Sequence, residues 1–149
     1  MIDGVKLIHR KRHCDDRGYL VEILRADDPE FIQFGQVYVS FLRRGVIKAW
    51  HKHDKQTDAF FVVAGTSKIG LYDDREGSPT KGAYQTVILG DEGEAALLMI
   101  PPGVWHGQMS LSEATYLVNL PTEPYNSKHP DEIRAPVEAF EDVWTIRNR

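Results

Sequence analysis

The sequence predicts an all-β protein, a sandwich or a small barrel. Three observations predict it. Short apolar runs are separated by turn signals at the spacing of about 8–12 residues typical of such folds. β-Branched and aromatic residues crowd those runs, as in FIQFGQVYVSFL, AFFVVAG and YQTVIL. Helical periodicity is almost absent. The chain of 149 residues is long enough to bury a core without staples and is expected to form one domain, 1–149.

The elements follow in order. Residues 4–12 carry a short alternation, VKLIH, then a basic cluster that reads as a solvated face. Asp15-Asp16-Arg17-Gly18 is a turn signal. Tyr19, Val21 and Ile23 then alternate with Leu20, Glu22 and Leu24, which predicts a strand. Asp27-Asp28-Pro29 breaks it. Phe31 to Leu42 is β-rich, with a bulge expected at Gly35. The stretch Gly45 to Gly65 reads as strand, tight polar turn, strand. TSKIGLYDD is a further strand ending in a long polar loop, 73–82. YQTVIL, AALLMI, VWHGQMSL and ATYLVNL complete the set. Pro121 and Pro124 mark the end of the regular sheet, because proline cannot sit in a central strand. The tail from Tyr125 is polar and closes with a short helix or strand.

Composition sets outer limits. Hydrophobic residues make up 42% and charged residues 27% of the chain, as in ordinary globular proteins. A formal net charge of −4 argues against a nucleic-acid partner, which needs a basic face. No apolar run reaches the roughly 20 residues of a membrane helix, and the N-terminus lacks a signal-peptide core. The single cysteine, Cys14, excludes an intrachain disulfide framework. A cytoplasmic location is the expectation.

The chemistry concentrates in GVIKAWHKHDKQTDAFFVVAG. His51 and His53 are two apart, so on a strand both imidazoles face the same side. Asp58 follows the polar turn. His106 follows the turn Pro101-Pro102-Gly103. Imidazoles with one carboxylate suit a divalent first-row ion, so His51, His53, Asp58 and His106 form an alternative metal set. The competing reading is a polar cavity lined by histidines without metal. Trp50 and Trp105 flank histidines and either stack on a ligand or pack in the core. His9, His13 and His129 read as surface residues.

The histidine spacing and the PPGVWH turn resemble the two-part signature of the cupin superfamily. That resemblance implies a jelly-roll β-barrel, or double-stranded β-helix. Asp58 stands where glutamate is usual there, and Ser110 where asparagine is usual. Read in order, DDRGYLVEILR, GVIKAWHKH, YDDREGSPTKG, IPPGVWHG and NLPTEPYNSKHPDEIR resemble the dTDP-4-dehydrorhamnose 3,5-epimerase family. The resemblance implies a substrate that is a dTDP-linked 4-keto-6-deoxy sugar, no cofactor, and a homodimer built by exchanged N-terminal strands. It implies His51 as base, Tyr125 as acid (Tyr116 being the alternative), and Arg17, Glu22, Gln36, Lys48 and His106 as substrate contacts. Asp58 falls where the family has the lysine that stabilises an enolate. It is expected to act in the catalytic group in one of three ways: protonated, binding a metal, or orienting His51 or Lys55. QVYVS followed by KAWHKH also resembles the short sugar 3,4-ketoisomerases, which adds Tyr38 and His53 to the substrate contacts. A non-catalytic sugar-nucleotide binding module is the remaining alternative.

Overall fold

The computed structural model describes residues 1–147. Among the described residues twelve strands are formed: β1 Lys6–His9, β2 Arg12–Asp15, β3 Gly18–Val21, β4 Tyr38–Arg43, β5 Ile47–Lys52, β6 Asp58–Ala64, β7 Thr66–Asp73, β8 Tyr84–Gly90, β9 Ala96–Ile100, β10 Val104–Ser110, β11 Ala114–Asn119 and β12 Ile133–Arg134. The only helix among the described residues is a 3₁₀ turn, Val137–Ala139. No helix of the described residues is long and apolar enough to cross a membrane.

Ten strands make two five-stranded sheets, in the orders β1-β9-β6-β11-β4 and β12-β5-β10-β7-β8. β2 and β3 form a separate hairpin, turned at Asp15–Gly18 as the DDRG signal predicts. The expected hairpin across Gly45–Gly65 is not one. β5 and β6 lie in different sheets, so the polar residues 54–57 carry the chain from one sheet to the other. The expected strand over 31–42 starts only at Tyr38. Gly35 is not at a bulge but lies against the backbone of Thr122 and Glu123, where a Cβ would sit 2.4 Å from Glu123 N.

Strand β6 shows why the fold takes this sequence. Its continuous apolar run has no polar face, and both of its faces are covered. Phe60 and Val62 point between the sheets and pack with Ile69, Leu71, Leu98 and Leu117. Ala59 and Phe61 point outward and are covered by Val21, Ile23 and Leu24. On the other sheet Trp50, Trp105 and Trp144 form an outer cluster with Val137 and Phe140. The two histidine-flanking tryptophans are therefore packing residues, and the C-terminal segment closes that face. Between the sheets, at the end where β5, β10 and β4 approach, polar side chains replace the apolar core and a cavity opens.

Candidate active site

The cavity wall depends on an irregularity in β5. His51 pairs with His106 of β10, but Lys48 pairs with Gln108, so β5 carries one residue more than β10 over this interval. The bulge changes the alternation, and Lys48 and His51, three apart, both line the cavity. Gly107 sits opposite the bulge. A Cβ there would lie 2.6 Å from the Lys48 carbonyl oxygen and 3.1 Å from the Trp144 ring.

Behind this wall lies a buried polar cluster. Asp58 comes from the first sheet and reaches His106 of the second and His53, which directly follows β5. Its Oδ2 is 2.8 Å from His106 Nε2 and 3.2 Å from His53 Nε2. Its Oδ1 accepts from Gln56 Nε2 at 2.6 Å and from Asn119 Nδ2 at 2.9 Å. Burial alone would push the Asp58 carboxyl up, but the His106 and His53 donors outweigh it and hold the carboxyl well below its usual range. His53 feels the opposite balance. Burial opposes its charge, yet Asp58 and the Asp131 carbonyl raise its pKa. The Asp131 carboxylate also accepts from the backbone N–H groups of Asp54, Lys55 and Gln56, clamping the crossover that carries His53.

His51 stands apart from this network. It makes no hydrogen bond to Asp58 among the described residues, contrary to the expectation that Asp58 orients it. Its ring lies 4.1 Å from the His106 ring, centroid to centroid. Burial first, then the charge on His106, pushes the His51 pKa down to about 3, with Asp58 pulling the other way. The free ring is therefore neutral at neutral pH. Nδ1 faces the Ala49 carbonyl at 3.4 Å, which favours a proton there and leaves the Nε2 lone pair for the cavity.

The cavity has two lobes. The inner one, about 410 Å³, is lined by Tyr38, Ser40, Lys48, His51, Gln108 and Arg134 among others. The outer one, about 580 Å³, is lined by Gln36, His53, Lys55, Tyr125, His129 and Asp131 among others. Tyr38, Glu132 and Arg134 line both. Each lobe falls within the range of small-ligand sites, roughly 300–1,000 Å³. Ser40 Oγ accepts from Lys48 Nζ at 2.9 Å and Gln108 Nε2 at 3.0 Å. Gln108 Oε1 is buried without a hydrogen-bond partner.

The structure thus brings together Gln36, Tyr38, Lys48, His51, His53 and Tyr125 at the cavity, with Asp58 and His106 buried behind its wall. Arg17 and Glu22 are not brought to it within one chain. Arg17 is at the β2–β3 hairpin tip, paired with Asp15, and Glu22 is paired with Arg25. Tyr116 points to the outer face, its ring 5.1 Å from Phe41. His129 was expected on the surface; it is exposed but lines the outer lobe. The sequence reading missed Glu132, Arg134, Gln108, Ser40 and Asn119. Of these only Glu132 and Arg134 carried a signal, two charges within the NLPTEPYNSKHPDEIR segment on which the family resemblance rests. The ligand atoms of His51, His53, Asp58 and His106 lie within 4.8 Å of one another, a donor set compatible with a divalent ion. The carboxylate oxygens, however, are already taken by four protein donors.

Fold and site together define a cupin-type jelly roll with a histidine-walled, cation-bearing pocket at its mouth. The chain belongs to the dTDP-4-dehydrorhamnose 3,5-epimerase family, whose model matches residues 1–148. It is 42% identical over 137 residues to the spore coat polysaccharide biosynthesis protein SpsL of Bacillus subtilis, covering 91% of this chain and 90% of that one. It is 39% identical over 140 residues to a protein of Haloferax volcanii named "probable low-salt glycan biosynthesis epimerase", covering 92% and 89%. The crystal structure of a dTDP sugar isomerase from Desulfovibrio desulfuricans superposes with a TM-score of 0.87 at 34% identity, over 93% of this chain and 87% of that one. The family is one of sugar-nucleotide epimerases and isomerases, as the sequence resemblance implied.

Proposed function

We propose that this protein is an epimerase or isomerase of a dTDP-linked 4-keto-6-deoxy sugar, acting by proton transfer beside the ketone in deoxysugar and polysaccharide biosynthesis. The observation that carries the proposal is His51. It is a neutral imidazole, depressed by burial, on the wall of a cavity that also holds the cationic side chains of Lys48 and Arg134. A ketone acidifies the neighbouring C–H. His51 takes that proton, and the electron pair moves onto the ketone oxygen. Lys48 and Arg134 supply positive charge for the enolate and for the diphosphate. Asp58 is a positioning residue in this reading: it fixes His106 and His53, and its charge is met by four donors rather than turned on the enolate. The chemistry needs no cofactor. The proposal also carries the cytoplasmic location expected from the sequence.

Solvent deuterium incorporation tests this. With dTDP-4-keto-6-deoxyglucose in D₂O, label enters ring carbons next to the ketone, and His51→Asn lowers incorporation by at least about 100-fold with an unchanged melting temperature. No incorporation by the unaltered protein, with nucleotide still bound, leaves the non-catalytic binding module. A product with its ketone moved to C3 identifies the ketoisomerase alternative.

The compact donor set supports a second reading, a divalent ion on His51, His53, Asp58 and His106. Elemental analysis of protein purified without chelator, together with melting in added zinc or manganese, decides it. A bound ion raises the melting temperature by mass action.

We also propose a homodimer with exchanged hairpins. β4 is a sheet edge bearing exposed Val39 and Phe41, and the β2–β3 hairpin exposes Tyr19 and Leu20 outside both sheets. An unpaired apolar edge invites strand addition. A partner's hairpin laid on β4 brings its Arg17 toward the pocket mouth, where Tyr38 begins that strand.

A further inference from the structure

We propose that residues 124–132 form a cover over the outer lobe and that Asp131 is its latch, a positioning residue that holds the cover shut on a bound sugar nucleotide. The proposal rests on the function proposed above, because the ligand under the cover is the substrate of that reaction.

One segment supplies much of the wall of the outer lobe. Six of its residues, from Pro124 to Glu132, line that lobe, together with Gln36 and His53 from the body of the fold. The segment joins β11 to β12, so it passes from one sheet to the other beside the cavity.

Its parts are held unequally. Just before it, the chain is fixed to the body. The Thr122 N–H donates to the Thr57 carbonyl at 3.1 Å, and the Thr57 N–H donates to Thr122 Oγ1 at 2.9 Å. The Pro121 carbonyl accepts from the Gly35 N–H at 3.1 Å. The middle is held far less. Residues 124–130 are exposed. Among the described residues they make one hydrogen bond to the body, from the Tyr125 N–H to Gln36 Oε1 at 3.2 Å. Asn126 Oδ1 accepts only from its neighbours, the Lys128 and His129 N–H groups. Exposed chain with so few ties opens at low cost.

The far end is fastened at Asp131. Its carboxylate accepts from the backbone N–H groups of Asp54 at 2.9 Å, Lys55 at 3.0 Å and Gln56 at 2.9 Å. Its carbonyl accepts from His53 Nδ1. Hydrogen bonds to a charged acceptor are the strong kind. β12 beyond it is two residues long, pairing Ile133 with Lys52 and Arg134 with His51. The four contacts of Asp131 are thus the strongest tie between the cover and the body.

This arrangement separates binding from chemistry. A latched cover keeps Tyr125 and Glu132 in the lining before the ligand arrives. Where only a fraction of the molecules is closed, the apparent affinity falls by that fraction. A bound ligand still holds the cover shut, so proton removal by His51 proceeds from the same complex. The latch therefore acts on KM and not on kcat.

The experiment combines label exchange in D₂O with dTDP-4-keto-6-deoxyglucose, calorimetry with dTDP, and limited trypsin digestion read at Lys128 by mass. Asp131→Ala removes the carboxylate but keeps the carbonyl that meets His53. It is expected to raise the KM for exchange and the Kd for dTDP by about 10-fold or more, with kcat changed by less than about 3-fold. Trypsin should cut after Lys128 about 10-fold faster in this variant, and dTDP should slow the cut. Asp131→Asn keeps the shape but sets an amide N–H against the backbone donors. It gives the same split, and it carries the test if the alanine variant does not fold. Asp73→Ala, a loss of stability outside the cavity lining, leaves KM unchanged and separates the latch from general loosening. Unchanged KM and Kd in the folded Asp131 variants overturn the latch. So does a fall in kcat at constant KM, which places the effect on the histidine wall, and so does a Lys128 cut that neither the substitution nor dTDP alters. If the unaltered protein exchanges no label yet binds dTDP, and the shifts in Kd and cleavage are found, the latch stands and the proposed reaction falls. Absence of dTDP binding overturns both.

Discussion

A single carboxylate organises each of two polar clusters, and their surroundings give them different duties. Asp58 looked like a misplaced charge, a carboxylate where an enolate needs a cation. With four donors around it it is the anchor of the histidine wall. Asp58→Asn is expected to destabilise the fold by about 3 kcal/mol, because the buried donors of His106 and His53 lose their charged acceptor; chemical denaturation measures this. Asp73 is the second case. It is fully buried, and it accepts from Arg75 Nε at 2.8 Å, Ser78 Oγ at 2.6 Å and Thr80 Oγ1 at 2.7 Å. Arg75 also donates to the Asp3 carbonyl, and Thr80 accepts from the Asp3 N–H. The SPTKG loop thus has a structural reason to exist, which is to tie the N-terminus to β7, and it contributes no residue to the cavity lining. Arg75 above all, with Ser78 and Thr80, outweighs burial and holds Asp73 well below the usual carboxylate range. Its folded pKa is below its unfolded value near 4. The stability it contributes is therefore complete above pH 4 and lost as pH falls through the folded value. Asp73→Ala should cost about 2–4 kcal/mol at pH 7 and flatten the acid limb below pH 4, with exchange activity at pH 7 retained in the folded fraction.

Strand identity was legible in the sequence because short β-branched and aromatic runs bounded by turn residues are a local signal that survives any arrangement of neighbours. The β2–β3 turn was legible for the same local reason. Sheet membership was not: the crossing of residues 54–57 between sheets rests on contacts with Asp131 and Thr122, far along the chain. The bulge in β5 was also hidden, because HKH reads as regular alternation and only pairing with β10 reveals the extra residue. His51 and His106 could be found from spacing. Asn119 and Gln108 could not, since an amide in a strand sequence gives no sign of which cavity it faces. Gly107 tests the bulge. A methyl group there meets the Lys48 carbonyl, so Gly107→Ala must shift β5 or the Trp144 ring. The expected cost is about 1–3 kcal/mol in stability. Label exchange should fall well beyond what the folded fraction explains, because Lys48 and His51 flank the displaced segment. Exchange unchanged in the folded fraction would show that the bulge does not set their geometry.

At the scale of the whole molecule, one chain holds the proposed base and two cations at the cavity, but leaves Arg17 at the tip of a hairpin that pairs with neither five-stranded sheet. The resemblance placed Arg17 on substrate. The geometry allows that only if the arginine serves another chain's pocket. Complementation follows from this arrangement. A chain with Arg17→Ala keeps an intact pocket but offers its partner a defective hairpin. A chain with His51→Asn has a dead pocket but offers an intact hairpin. Each homodimer is therefore impaired, whereas in a mixed dimer the pocket of the Arg17→Ala chain receives a good arginine from its partner. Random pairing of equal amounts makes half the dimers mixed, each with one working site of two, so co-expressed variants should recover about a quarter of the normal exchange rate. Sedimentation of the unaltered protein should give a dimer, and Leu20→Lys on the hairpin should shift it toward monomer and lower exchange with it. Activity in co-expressed variants no greater than the mean of the two homodimers would place Arg17 outside the partner's pocket.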